Sequence, residues 1–343
     1  MVQIIGFPGS HHWRYTMHIL WSNLGFLLHW TSPHLSGLSC LSFLLVIDVP
    51  IQKWDLPAPK WRRRLSQHLS RLMSFVTCLI FAVIPKYVDH SKKPKHDPRY
   101  HSHPPFDWSQ SYTLVGNHQS IYDAVIGSGF LGNPSIMARG DFLQAPILGF
   151  ILKQFRAIPA NRNATHDANH KSASQLYLER KENPLPGEYA VCMFPEGTDT
   201  NGSAVTRFHK GAFLGGHPVR PFTIKYPGKR MNLAWDTINV ISLIWETSCQ
   251  FYNRFEMHVY DLYYPTEEER NDPELYSQNV GRFVAAQLGV PYKPECDIPH
   301  YRIAAKLWDG KMKWNEAVDK LFEINRDQHS FVPIPNSMPD EIV

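Results

Sequence analysis

A chain of 343 residues that is 43% hydrophobic and 19% charged can bury a sizeable core, which excludes a mostly disordered protein. Its net charge is +4, but residues 51–100 alone hold eleven Lys/Arg against three Asp, so the basic character is local and gives no nucleic-acid-binding surface. Five widely spaced cysteines (Cys40, Cys78, Cys192, Cys249, Cys296), none in a C-x-x-C pair, argue for reduced thiols rather than a zinc or redox centre.

Residues 1–60 are apolar in patches, at 19–21, 24–30 and 41–49, and none reaches the roughly 20 residues that cross a bilayer. His11, His12 and Arg14 interrupt the start, so no cleavable signal is expected. The stretch reads as a membrane-associated extension. In residues 61–90, Trp61, Leu65, Leu69, Leu72, Val76, Leu79 and Val83 recur at the helical period. Arg62, Arg63, Arg64 and Arg71 crowd the first half, and residues 72–84 carry no charge. Thirteen helical residues span about 20 Å, short of a ~30 Å hydrocarbon core. The pattern predicts a basic amphipathic helix over 61–84, stopped by Pro85. It either dips into one leaflet or packs into a core.

A Lys-, His- and Pro-rich linker follows over 91–105. Strands are predicted at 112–115, 135–138, 155–159, 189–194, 219–226 and 255–264. Helices are predicted at 121–130, 141–153, 167–180, 233–251, 272–288 and 301–325, before a Pro-containing tail. Asp272-Pro273 starts and Gly289 stops the 272–288 helix. Strands and helices in alternation argue for an α/β layered fold. The divisions expected are 1–60, 61–90, a catalytic domain over 91–292, and a C-terminal helix and tail over 293–343.

Two short stretches carry the chemistry. His118 and Asp123 lie five apart in Asn117-His118-Gln119-Ser120-Ile121-Tyr122-Asp123, just after a predicted strand. With 18 His in the chain such a spacing arises by chance, and Ser120-x-x-Asp123 also matches a helix capping box. A strand-to-helix turn is nonetheless where α/β folds hold reactive groups. Asp123 can accept from one imidazole nitrogen and leave the other as an oriented base. The second stretch is Phe194-Pro195-Glu196-Gly197-Thr198, a tight turn after another strand. Its backbone N–H groups can form an anion nest, and Glu196 can accept from a substrate hydroxyl. Arg162, Arg207, His209 and Lys210 offer positive charge. There is no G-x-S-x-G nucleophile elbow, P-loop or dinucleotide fingerprint. His166 and His170 lack the Glu of a zincin motif, so neither metal nor resident cofactor is expected.

In order along the chain, His118-x4-Asp123, Arg162, Phe194 to Thr198 and Pro218-Val219-x-Pro221 resemble the four blocks of the glycerolipid (PlsC-type) acyltransferases. Phe194 to Gly202 (FPEGTDTNG), Lys210-Gly211-Ala212-Phe213, Lys225-Tyr226-Pro227 and Tyr264-Pro265-Thr266-Glu267 are similar to the lysophosphatidylcholine and lysophosphatidylethanolamine acyltransferases within that family. The resemblance covers roughly residues 60–292. It implies an α/β fold with a mixed sheet flanked by helices, and transfer of a fatty acyl group from acyl-CoA, a co-substrate, to a lysophospholipid hydroxyl at a membrane surface. In a eukaryotic cell it implies the endoplasmic reticulum membrane. His118 and Asp123 would be catalytic. Arg162, Glu196, Gly197, Thr198, Lys210, Pro218 and Pro221 would bind substrate. Asp199 stands where many enzymes acting on glycerol phosphates carry Arg, which favours a phosphodiester head group over a free phosphate. The alternatives are a 1-acylglycerol-3-phosphate or glycerol-3-phosphate acyltransferase, and a lipid-binding scaffold without turnover.

Overall fold

The computed structural model describes residues 60–90, 113–140, 144, 157–160, 172–182, 190–227, 240–308 and 310–327. The N-terminal extension, the linker, the predicted 141–153 helix and the Pro-containing tail lie outside the described residues, apart from residue 144.

Helix α1 (Lys60–Ile80) is followed by β1 (Val83–Asp89), β2 (Thr113–Gly116) and α2 (Ile121–Phe130). Next come β3 (Ser135–Arg139), β4 (Ile158–Ala160), α3 (Ala173–Glu182), β5 (Val191–Met193), β6 (Val205–Thr206) and a kinked 3₁₀ segment (Lys210–Gly216). The chain continues through β7 (Val219–Lys225), α4 (Val240–Ser248), β8 (Asn253–Val259), α5 (Glu267–Asn271), α6 (Pro273–Leu288), β9 (Tyr292–Lys293), α7 (Ile298–Trp308) and α8 (Trp314–Asp327).

Seven strands form one sheet in the order β1-β8-β7-β2-β5-β3-β4. From β7 to β4 every pairing is parallel, β8 runs antiparallel to β7, and β1 is parallel to β8. The sheet is therefore mixed. Period-two alternation feeds both faces. Leu114, Cys192, Phe222 and Ile224 enter one core with Tyr122, Ile126, Phe255 and Met257. Val115, Val191, Met193 and Val219 enter the other with Tyr177, Phe213, Tyr276 and Val280.

The helix predicted to run to residue 84 ends at Ile80, and the chain turns through Ala82 at φ 47°. Residues 83–89 then form an edge strand, so the sheet begins upstream of residue 91. Pro85 is not a helix stop. It sits in the edge strand, the place in a sheet where a missing N–H is tolerated.

The buried face of α1 is not its apolar stripe. Ser70, Ser74 and Cys78, each four apart, are buried. The Ser70 hydroxyl donates to Ser128 (3.1 Å) and that of Ser74 to the Ile126 carbonyl (3.0 Å). A Cβ on Gly129 would collide with Ser74, so this seam admits only small side chains. Leu72, Phe75 (60% exposed) and Leu79 (62%) consequently face outward.

The single C-terminal helix predicted over 301–325 is two, α7 and α8. They separate around Gly310 at φ 66° and share a small core of Ile303, Met312 and Ala317.

Candidate active site

Because β2, β5 and β7 are parallel neighbours, the segments leaving their C-terminal ends converge at one sheet edge. Gly116 ends β2 with the Phe222 ring where a Cβ would stand. Asn117 then bridges to β7. Its amide donates to the Ile224 carbonyl (2.9 Å), and its oxygen accepts from the Ile224 N–H (2.8 Å).

His118 follows. Its Nδ1 lies 2.8 Å from Asp123 Oδ2. The same oxygen accepts from the N–H groups of Gln119 (2.6 Å) and Ser120 (2.9 Å), while Asp123 Oδ1 accepts from the Tyr226 hydroxyl (2.5 Å). The helix-capping role and the imidazole-orienting role are thus one buried carboxylate. The His118 ring stacks on Phe194, with centroids 4.1 Å apart and planes 16° apart, and Phe194 rests edge-on against Phe222.

The turn after β5 closes over this ring. The His118 N–H donates to Glu196 Oε1 (2.9 Å), and Glu196 Oε2 accepts from the Thr206 N–H (3.0 Å) and hydroxyl (2.8 Å). Glu196 is 1% exposed and burial pushes its carboxyl up to about 7. It ties three segments together and is not an open acceptor for a substrate hydroxyl. Gly197 has φ 68°, a conformation glycine adopts without strain, and its N–H closes the turn onto the Phe194 carbonyl. That N–H is committed within the turn and not to an anion nest. Thr198 is half-buried in the same turn. Thr200 returns to the first motif, its N–H (2.9 Å) and hydroxyl (3.2 Å) both donating to the His118 carbonyl.

Asp199 Oδ1 lies 3.0 Å from His118 Nε2, so both ring nitrogens face carboxylates. Burial works against the imidazolium. Asp199, the Asp123 hydrogen bond and charge, and Glu196 together outweigh it and raise His118 to about 9. Neither this contact nor the one from Tyr226 was expected, although both residues lie in stretches the sequence reading singled out.

Lys210 is exposed at the start of the 3₁₀ segment, one residue beyond His209, whose N–H donates to the Pro195 carbonyl. The two prolines do not join the site. Pro221 pairs in register with Val115, and Pro218 precedes β7 by one residue, level with the start of β2. At about 3.3 Å per residue, Pro218 stands roughly 20 Å of strand below His118. They shape the entry to β7, where the Pro221 carbonyl accepts from the Tyr260 N–H. Arg162 lies outside the described residues.

Chemically this is an oriented imidazole at the strand-end edge of an α/β sheet, the equipment for moving a proton off a nucleophile. Residues 94–225 match the family model described as Acyltransferase. It is 31% identical over 245 residues to the lysophospholipid acyltransferase LPEAT1 of Arabidopsis thaliana, covering 66% of this chain and 60% of that protein. It is 35% identical over 180 residues to the lysophosphatidylcholine acyltransferase of Drosophila melanogaster, covering 52% of this chain and 33% of that one. The human lysophosphatidylcholine acyltransferase 1 is 32% identical over 176 residues, 50% of this chain and 32% of the relative. The chain thus spans between about a third and three fifths of these relatives' lengths. A crystal structure of the 1-acyl-sn-glycerophosphate acyltransferase PlsC from Thermotoga maritima superimposes with a TM-score of 0.48 at 16% identity, covering 80% of this chain and 98% of that one.

Proposed function

We propose that the protein transfers a fatty acyl group from acyl-CoA to the free hydroxyl of a lysophospholipid, with His118 as general base. The observation that carries this reading is the His118–Asp123 pair, held by the two turns at the strand-end edge. Neutral His118 takes the acceptor's hydroxyl proton on Nε2 while the oxygen bonds to the thioester carbonyl carbon. The tetrahedral adduct then breaks its C–S bond, and the CoA sulfur recovers the proton from the imidazolium. Asp123 holds the ring throughout and stabilises its charged form. The relatives named for lysophospholipid and lysophosphatidylcholine acylation support this acceptor class.

Asp123, Asp199 and Glu196 surround the base, a setting that disfavours the dianionic phosphate of lysophosphatidic acid beside it. In a side-by-side panel with one acyl-CoA donor, lysophosphatidylcholine and lysophosphatidylethanolamine are expected to exceed lysophosphatidic acid in kcat/KM by tenfold or more, roughly 1.4 kcal/mol. Lysophosphatidic acid as the best acceptor refutes the head-group assignment, and no transfer to any of the three refutes the activity.

The acceptor's chemistry calls for a lipid surface, and the fold supports one. Leu72, Phe75 and Leu79 of α1, Ile84 of β1, Ile244 and Trp245 of α4, and Phe251 and Tyr252 are exposed. Asn253 joins these elements, its amide donating to the Phe81 (2.8 Å) and Thr247 (3.1 Å) carbonyls. Arg64 and Arg71 of α1 and Arg254 at the start of β8 are exposed. Such charges are worth about 1 kcal/mol each beside anionic lipid. Among the described residues no helix is long and apolar enough to cross a membrane. Replacing Phe75 and Leu79 together by Ser is expected to reduce co-sedimentation with phosphatidylserine-containing vesicles at least tenfold, since each buried apolar side chain contributes about 1.5–3 kcal/mol. The melting temperature should hold, because both side chains already face outward. Unchanged vesicle binding would remove α1 from the docking surface.

A further inference from the structure

Strand β7 meets the base at its far end. Pro218 and Pro221 stand low on the strand, but both main-chain groups of Ile224 are bonded to residues that flank His118. Its N–H and carbonyl pair with the Asn117 side chain (2.8 and 2.9 Å), and the carbonyl also accepts from the Gln119 amide (3.2 Å). Two residues on, Tyr226 is 7% exposed, and its ring stands edge-on to Phe255 with centroids 5.6 Å apart. Strand and core thus fix the ring, whose hydroxyl donates to Asp123 Oδ1 (2.5 Å).

The two oxygens of Asp123 have different work. Oδ2 accepts from the N–H groups of Gln119 and Ser120 and faces His118 Nδ1, all within five residues of chain. Among the described residues, Tyr226 supplies the hydrogen bond to Oδ1, from across 103 residues. The carboxylate torsion of an aspartate is broad, so a carboxylate held through one oxygen keeps freedom to turn about its Cβ–Cγ bond. Held through both, it has one plane and one direction in which to meet Nδ1.

We propose that Tyr226 is a positioning residue of the catalytic base, its hydroxyl locking the plane of the Asp123 carboxylate and taking up part of its charge. The proposal rests on His118 being the base in acyl transfer. It makes the residue just past β7, and not the prolines at the other end of the strand, the point where β7 enters the chemistry. Burial and the charge on Asp123 push the phenol well above its usual range, so it remains a donor. The Ser120 hydroxyl also reaches the Tyr226 oxygen, which ties the ring to the start of α2.

The groups that face this pair come from three sides. Asp123 on α2, and Asp199 and Glu196 in the turn after β5, favour the charged form of His118 against burial, which opposes it. The Cys192 thiol of β5 is held neutral by burial and by Asp123. Without the Tyr226 hydroxyl, the charge on Asp123 is concentrated toward the imidazolium, and the plane of the carboxylate is no longer fixed. The first effect strengthens the hold on the His118 proton, and the second blurs the orientation of the ring.

The test compares the full-chain wild type with Tyr226→Phe, which keeps the ring and its packing on Phe255 and loses one hydroxyl. Asp123→Asn and the double variant complete a cycle. The His118 titration is followed by NMR of ¹⁵N-labelled imidazole, identified by its loss in His118→Gln, and a thermal melt gives the folded fraction. Rates are measured on phosphatidylcholine vesicles carrying lysophospholipid. A general base must be deprotonated, so kcat/KM rises with pH through the His118 pKa. Tyr226→Phe should move the imidazole titration, and that limb with it, to higher pH by about half a unit or more. On the high-pH plateau kcat should fall about tenfold while KM for either substrate changes less than about twofold. In the Asp123→Asn background, Tyr226→Phe should cost no further kcat, because the group it acts through has lost its charge. A loss of melting temperature alone, a His118 titration that stays in place or moves to lower pH, or additive losses in kcat would each overturn the assignment. Failure of the acyl-transfer reading shows up separately, as full activity in His118→Gln, while the titration still reports the coupling of Tyr226 to the imidazole.

Discussion

His118→Ala is expected to lower acyl transfer about 10²–10⁴-fold, the usual contribution of a positioned base, while leaving the fold intact. The second half of that expectation follows from how the residue is held. Its ties to Glu196 and Thr200 run through the main-chain N–H and carbonyl, which alanine keeps. Asp123 still accepts from the N–H groups of Gln119 and Ser120 and from the Tyr226 hydroxyl, so no buried carboxylate is stranded. What disappears is the imidazole and its stacking on Phe194, a contact at a partly exposed position. Steady-state assay with acyl-CoA and lysophospholipid, set beside a thermal melt, separates the two effects. Transfer at the wild-type rate would exclude His118 as the base.

Asp123→Asn should reduce transfer about 10²-fold or more with a modest loss of stability, whereas Asp123→Ala should be severely destabilised. The carboxylate accepts four hydrogen bonds while 1% exposed. In the Asn variant the amide oxygen can take the place of Oδ2 and keep the three N–H donors. The amide nitrogen then meets the Tyr226 oxygen, which can turn its hydroxyl away and accept. The geometry survives and the charge that stabilises the imidazolium does not. In the Ala variant four donors lose their partner, at about 1–3 kcal/mol for each one left buried and unpaired. Denaturant unfolding of both variants, with activity measured on the folded fraction, tests the contrast. Equal stability of the two would mean that the four bonds contribute little.

The parts of this site legible in the sequence are the local ones. Ser120 and Asp123 are three residues apart, so their capping box could be read directly, and with it the start of α2. His118 and Asp123 are close enough in sequence for their pairing to be a sensible inference. The contacts that complete the site join residues far apart. Glu196 reaches the His118 N–H across 78 residues, and Tyr226 reaches Asp123 across 103. Both depend on β5 and β7 flanking β2, an order no local pattern encodes. The same reason made Glu196 look like a substrate ligand and drew Pro218 and Pro221 into the site. Each stands in a distinctive motif, but burial and strand register decide what it touches.

Helix α1 shows a different limit. Its apolar period was visible, but period alone does not say which side is covered. The cover is set by the Ile126, Ser128 and Gly129 surface of α2, which accepts Ser70 and Ser74 and turns the larger side chains outward. Strand β1 was hidden because Pro85 reads as a breaker until an edge position is available for it.

Asn117 has a role resembling that of a strand residue. By giving one donor and one acceptor to Ile224, its side chain adds a rung to the β2–β7 ladder just beyond Gly116, where β2 itself has ended. The rung depends on a carboxamide. Deamidation, a chemical ageing reaction, would turn the donor into a carboxylate oxygen facing the Ile224 carbonyl. The two oxygens would repel at the base of the turn that carries His118. The molecule therefore has a point of covalent wear one residue from its imidazole, shielded chiefly by the burial of that amide.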